Sequence, residues 1–220
     1  MLILNLKTYS ESTGNNIYSI FDSIQTEILS NPKLAELVIA APANIYLSEL
    51  KSKYPNIKLA AQTVSGKNAG STTGWVPADN LVSLGLDIAI YNHSENRQNM
   101  DTIVEDIQAI QSKGIRLVVC CENIEEANKI LQANPYAIAF EPKDLIGSGI
   151  SVTTRPQAVT EFISAVKGKT KAIIGAGVST GEDVANSLKL GAEGVLLASA
   201  YVKAEDKSAK LNELAAPFLQ

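Results

Sequence analysis

Cysteine and histidine are nearly missing from this chain: its 220 residues hold two of the first and one of the second. The two cysteines, Cys120 and Cys121, are adjacent within an apolar run. Neighbours of that kind are poorly placed for a structural disulfide, so core packing is the favoured reading and a reactive thiol the minor one. Positive charge is also scarce. Lys and Arg total 19 against 23 Asp and Glu, a net charge of −4, and the basic residues are scattered singly. No basic stripe is available to release counterions from a nucleic-acid backbone, which excludes that class of partner. The opening MLILNLKTYS lacks a positive n-region and reaches Asn5 and Lys7 before a signal-peptide core could form. No later apolar run approaches a membrane span, so the expectation is a cytoplasmic protein with no membrane partner. Low-complexity tracts, linkers and charge blocks are absent, and one domain over residues 1–220 is expected.

What remains is an ordinary globular composition, 45% hydrophobic and 19% charged. Short apolar runs alternate with longer amphipathic stretches. The runs are Leu2 to Leu6, Leu37 to Ala41, Ile57 to Ala61, Leu86 to Tyr91, Ile115 to Cys121, Tyr136 to Phe140, Lys171 to Gly175 and Gly194 to Ala198. Most are continuous rather than alternating, as strands buried on both faces are. Asn123 with Glu126 predicts a capping box that opens a helix through Leu131, with Pro135 beyond its end. Ser179 with Glu182 predicts another, running to about Leu190 before Gly191. Thr154 with Gln157 predicts a third around Pro156, and the segment from Asp101 to Lys113 ends at Gly114. Eight β–α units in this length fit a compact (β/α)₈ barrel, a TIM barrel, with a doubly wound open sheet as the alternative. The polar connections Thr63 to Trp75 and Glu141 to Arg155 follow the carboxyl ends of strands, where such a barrel builds its site.

The single histidine, His93, stands just after the fourth run and before a helix expected near Ser94. Peptide dipoles at a helix N-terminus would disfavour an imidazolium and keep the ring a neutral hydrogen-bond donor. A lone histidine is otherwise a packed or surface residue. Glu141 follows the sixth run directly and precedes the rigid Pro142, a placement suited to a general base, or simply to a solvated loop carboxylate. Asn5 and Lys7 are one residue apart and should project from one face of the first strand's end, where Lys7 would offer a fixed charge to an anion. Small residues follow the last three runs: Gly147-Ser148-Gly149, Gly175-Ala176-Gly177 and Ala198-Ser199-Ala200. They let backbone N–H groups approach a phosphate, and each stretch alone also suits turn geometry.

Taken in order, Asn5-Leu6-Lys7, Tyr91-Asn92-His93-Ser94-Glu95 and Phe140-Glu141-Pro142 through Leu145-Ile146-Gly147-Ser148-Gly149 resemble triosephosphate isomerase. The stretches Gly175 to Val184 and Gly194 to Ser199, with Gln62 and the turn Gly70 to Gly74, resemble its short archaeal branch, and the resemblance spans the whole chain. It implies interconversion of dihydroxyacetone phosphate and glyceraldehyde 3-phosphate, with no metal or organic cofactor. Carried over by position, it makes Glu141 the proton acceptor, His93 the electrophile and Lys7 a catalytic cation. Asn5 and Lys7 contact substrate, Glu95 pairs with Lys7, and Ile146, Gly147, Gly177, Ser179, Ala198 and Ser199 line the phosphate site. Pro142 to Gly149 becomes a lid that closes over the substrate. A homo-oligomer, dimer or tetramer, is implied, with Trp75 in the long third connection either an interface anchor or a core residue. Three departures stand out: Phe140 where the family usually has Tyr, Asn96 where it usually has Arg, and Ser148 for Thr. The glycine stretches alone would also suit an isomerase or epimerase of a larger sugar phosphate, or a barrel that only binds phosphate ligands.

Overall fold

The computed structural model describes residues 1–142 and 156–219. In chain order the elements are β1 (Leu2–Asn5), α1 (Asn16–Ser30), α2 (Lys33–Leu37), β2 (Val38–Ala41), α3 (Leu47–Lys53), β3 (Lys58–Leu59) and α4 (Ala78–Ser83). Then come β4 (Ile88–Tyr91), α5 (Ile103–Gln111), β5 (Arg116–Cys121), α6 (Ile124–Leu131), β6 (Ala137–Phe140) and α7 (Pro156–Val166). The chain ends with β7 (Lys171–Ile174), α8 (Gly181–Lys189), β8 (Gly194–Leu197), α9 (Ser199–Val202) and α10 (Lys207–Ala215). Each strand lies inside one of the apolar runs, because a strand covered on both faces solvates polar residues only at its end, as Arg116, Lys58 and Lys171 stand at the starts of β5, β3 and β7.

The eight strands form one parallel sheet in the order β3-β2-β1-β8-β7-β6-β5-β4. The seam between β3 and β4 is bridged at Ala61 and Ala89, where the Ala61 N–H donates to Ile88 O at 3.0 Å and the Ile90 N–H to Ala61 O at 2.8 Å. The sheet therefore closes on itself as a (β/α)₈ barrel, and the open doubly wound alternative falls away.

Two apolar layers result from the alternation of side chains along each strand. Ile3, Ile39, Ile88, Ile90, Val118, Cys120, Ala137, Ala139, Ile173 and Leu196 point inward and fill the barrel. Their neighbours, such as Leu2, Leu4, Leu117, Val119, Cys121 and Ile138, point outward to the helices. Helix α1 covers them with Ile17, Ile20, Phe21, Ile24 and Ile28, a three-and-four spacing that makes one apolar stripe. Among the described residues no helix is long and apolar enough to cross a membrane.

The helix boundaries correct the sequence reading in detail. Asn123 caps α6 by accepting the Glu126 N–H at 2.9 Å, but the Glu126 carboxylate accepts from the Glu122 N–H at 2.9 Å and pairs with Arg97 rather than closing a box on Asn123. Helix α8 is boxed by Thr180 and Asp183, one residue later than Ser179 and Glu182: Thr180 Oγ1 accepts the Asp183 N–H at 3.1 Å and Asp183 Oδ2 accepts the Thr180 N–H at 3.0 Å. Gly114 and Gly191 follow α5 and α8 at φ of 95° and 104°, left-handed geometry that favours glycine. Thr154, the cap expected for α7, lies outside the described residues.

Both cysteines are free and buried. Burial, and after it neighbouring carboxylate charge from Glu141 at Cys120 and from Glu126 at Cys121, pushes each thiol well above its usual pKa. The packing reading holds and the reactive-thiol reading does not. Titration of the folded protein with a thiol reagent should therefore release almost no signal at pH 8, and both thiols should react after denaturation. Rapid labelling of the native protein would contradict this.

Candidate active site

Alternation continues past the last filled layer of the barrel and decides which residues face its axis at the carboxyl end. Ala137 and Ala139 point inward, so Glu141 does too; Ile173 is followed in phase by Gly175, and Leu196 by Ala198. These positions meet in a cavity of about 620 Å³ lined by Lys7, His93, Glu95, Glu141, Gly177, Ser179, Ala198 and Ser199 among others. All are residues singled out in the sequence. Asn5 is 4% exposed and lies instead in an adjoining recess of about 160 Å³, beside Lys7, Gln62 and Glu95.

Asn5 and Lys7 do not project from one face of a continuing strand. The strand stops at Asn5, and Lys7 turns with φ of 48°. A left-handed conformation costs an ordinary residue roughly 1–2 kcal/mol. It is held by the Asn5 side chain, whose Oδ1 accepts the Lys7 N–H at 3.1 Å, and by Gln62, whose Nε2 donates to Lys7 O at 3.0 Å and to Ala41 O at 2.9 Å. Hydrogen bonds of this kind are worth about 1 kcal/mol each, so together they offset the strain. The turn aims the Lys7 ammonium at Glu95, Nζ to Oε1 2.7 Å, at the edge of the cavity.

His93 does not open a helix. A turn closed by the Asn96 N–H on His93 O (2.8 Å) follows it, and α5 begins only at Ile103. A local bond takes the place of the dipole argument for a neutral ring. The Glu95 N–H donates to His93 Nδ1 at 3.2 Å, so Nδ1 is an acceptor and the ring proton sits on Nε2. Asn92, with φ of 57°, makes this geometry: its Nδ2 donates to Cys120 O at 2.8 Å and its Oδ1 accepts the Gln98 N–H at 2.9 Å. Asn92 and Gln62 shape the site, and reading by chemistry passed over both. Asparagine's tolerance of left-handed backbone was the available signal for the first; Gln62 carried none of its own.

Glu141 is 3% exposed, and its Oε1 stands 3.6 Å from His93 Nε2, close but beyond hydrogen-bond distance. Among the described residues its Oε2 is buried without a hydrogen-bond partner. Burial is the main cause that raises this carboxyl above its usual range, opposed by the neighbouring His93 ring, the Cys120 thiol and the Lys7 ammonium. Gly175 leaves room for it: a β-carbon there would stand 2.5 Å from Glu141 Cγ and 2.9 Å from Oε1. Gly175 thus serves the carboxylate, whereas the sequence grouped it with a phosphate cradle.

At the other end of the cavity, Gly177 turns at φ of 68°, and Ala198 and Ser199 open the four-residue α9. The Ser179 N–H and hydroxyl both donate to Asp183 Oδ2, at 3.0 and 3.2 Å. Ile146, Gly147 and Ser148, like the lid expected beyond Pro142, lie outside the described residues. Of the other two departures, Phe140 stacks on Phe162 at 4.8 Å between centroids, and Asn96 Nδ2 donates to Thr63 Oγ1 at 3.1 Å in place of a salt bridge.

The whole sequence was compared with known proteins. A family model described as triosephosphate isomerase matches residues 1–215. Proteins named triosephosphate isomerase from Cenarchaeum symbiosum and Caldivirga maquilingensis are each 35% identical, over 98% and 100% of this chain and 96% and 97% of their own. One from Methanobrevibacter smithii is 36% identical over 97% of this chain and 96% of its own. With a barrel, a buried carboxylate facing a histidine and a full-length match in agreement, the chain belongs to the triosephosphate isomerase family.

Proposed function

We propose that Glu141 is the base, His93 the electrophile and Lys7 the fixed cation with which this chain carries out the reaction of its family. That reaction interconverts dihydroxyacetone phosphate and D-glyceraldehyde 3-phosphate by proton transfer through an enediolate, a step of glycolysis and gluconeogenesis. The observation that carries the reading is the Glu141 carboxylate: buried, raised in pKa, and with one oxygen that no described residue hydrogen-bonds, in a cavity that also holds His93 Nε2. Leaving such a group unpaired is costly for folding, and a base needs it.

In this reading Glu141 takes the proton from one carbon and returns it to its neighbour. Oxyanion charge developing on the substrate is met by the His93 Nε2–H and the Lys7 ammonium. Glu95 positions both donors at once, through its N–H on His93 and its carboxylate on Lys7. Asn5 acts through the Lys7 turn. Gly177, Ser179, Ala198 and Ser199, with Ile146 and Gly147, would receive the phosphate, for which Ser179 exchanges its bonds to Asp183.

We also propose a homo-oligomer, dimer or tetramer, working in the cytoplasm. Support comes from two large apolar side chains left exposed on loops at the carboxyl end of the barrel, Ile45 at 82% and Trp75 at 55%. At 55% exposed, Trp75 lies outside the core, which favours the interface reading.

Glu141→Asp withdraws the base by about a bond length and should lower kcat at least a hundredfold with KM nearly unchanged; a steady-state assay showing wild-type turnover would remove Glu141 from the mechanism. The wild-type kcat/KM should fall on acidification through a pKa above 4.5, because the base must be ionised and its pKa lies above that value. Stability should move the other way. A carboxyl whose folded pKa is raised carries no penalty at pH values below its unfolded pKa and accumulates one as pH rises towards the folded pKa. Glu141→Gln should therefore be inactive yet unfold at a higher denaturant concentration than wild type at pH 7, with the difference vanishing near pH 3. Equal midpoints at pH 7 would deny the burial cost. In sedimentation, Trp75→Glu with Ile45→Glu should yield monomer from an oligomeric wild type; a monomeric wild type would refute the proposed assembly.

A further inference from the structure

Charge along the cavity wall does not, at first sight, suit a phosphate dianion. Lys7 is paired with Glu95 at 2.7 Å, which offsets its charge without removing it from the site, and Glu141 brings a second carboxylate. Without another cation these three side chains sum to one negative charge, which would repel the substrate from the place where it must bind.

Among the described residues the wall holds one further cation, Lys203. It caps the end of α9, its N–H donating to Ser199 O at 2.9 Å. Residues four apart share a helix face, so the lysine stem rises from the same side as Ser199, at the phosphate end of the cavity. Its Nζ stands 5.0 Å from the centroid of the Tyr9 ring, and Tyr9 lines the same cavity from the loop after β1. Among the described residues no carboxylate lies within ion-pair distance of it, although exposed Glu11 feels its charge. An aromatic face holds an ammonium in place without neutralising it or removing its water, so the charge stays available to an incoming anion.

We propose that Lys203, held over Tyr9 at the mouth of the cavity, captures the phosphate of the substrate and sets the preference for phosphorylated over unphosphorylated trioses. Proton transfer stays with Glu141 and His93, and the proposal rests on that reading of the site. Lys203 acts on encounter and binding, so its contribution is screened by salt, whereas a packing role is not.

The test is steady-state kinetics of the full chain and of Lys203→Gln, Lys203→Glu and Lys203→Arg, at low and high ionic strength, with glyceraldehyde 3-phosphate and with unphosphorylated glyceraldehyde. For Lys203→Gln at low salt, kcat/KM for the phosphorylated substrate should fall about threefold to tenfold, through KM rather than kcat. Lys203→Glu should lose more and Lys203→Arg should recover most of the loss. The decline of wild-type kcat/KM with added salt should flatten in Lys203→Gln, and the preference for phosphorylated substrate should narrow by the same factor. An unchanged KM at low salt would overturn the proposal. So would an equal loss towards both substrates, which marks a structural defect. A wild type active on glyceraldehyde 3-phosphate alongside an active Glu141→Gln would instead overturn the reading of the site, and the proposal with it.

Discussion

The hydrogen bonds that join Ala61 to Ile88 and Ile90 close the sheet, and the site depends on that closure. β3 is only two residues long and contributes little pairing of its own, so the seam rests on this bridge. With the ring shut, every inward position points at one axis, and the filled layers of Ile, Val and Ala leave room only at the ends. Glu141 is aimed at that axis by the phase of β6. In an open sheet the same phase would aim it at one face, away from the ends of β1 and β4 that deliver Lys7 and His93.

Around that axis the protein accepts local costs to hold a geometry. Lys7 and Asn92 take left-handed backbone without being glycine, each beside a side-chain amide that binds it in place. Glu141 is buried with an oxygen that no described residue pairs, and Gly175 forgoes a side chain where any β-carbon would displace the carboxylate. Such concentrations of strain and unpaired polarity mark functional sites, and the two close-packed layers of the barrel carry them. Glu95 links the parts, tying the histidine tautomer to the lysine position through one residue.

The strands were legible because burial on both faces leaves a continuous apolar run with no competing explanation. Helix caps were legible to within a residue: Thr180 and Asp183 box α8 beside the expected Ser179 and Glu182, since both pairs carry the right groups and only the backbone path selects between them. The surroundings of His93 were misread. A helix near Ser94 suited the local composition, yet the chain makes a single turn there and fixes the ring by one N–H on Nδ1 instead of a dipole. Asn5 and Lys7 were expected to share one face of a continuing strand; the strand ends between them, and the Asn5 amide holds the Lys7 turn.

By itself the sequence determined the order of strands and helices and singled out His93 and Glu141 as the groups proposed to handle protons. Periodicity is local, and the motifs around His93 and Glu141 are contiguous. Only the tertiary structure decided which of those groups meet. The approach of Glu141 to His93, Gly175 to Glu141, Gln62 to Lys7 and Lys203 to Tyr9 joins residues from distant strands and loops. Such contacts follow from ring closure and strand phase, which act across the whole chain and leave no mark in any one stretch of it.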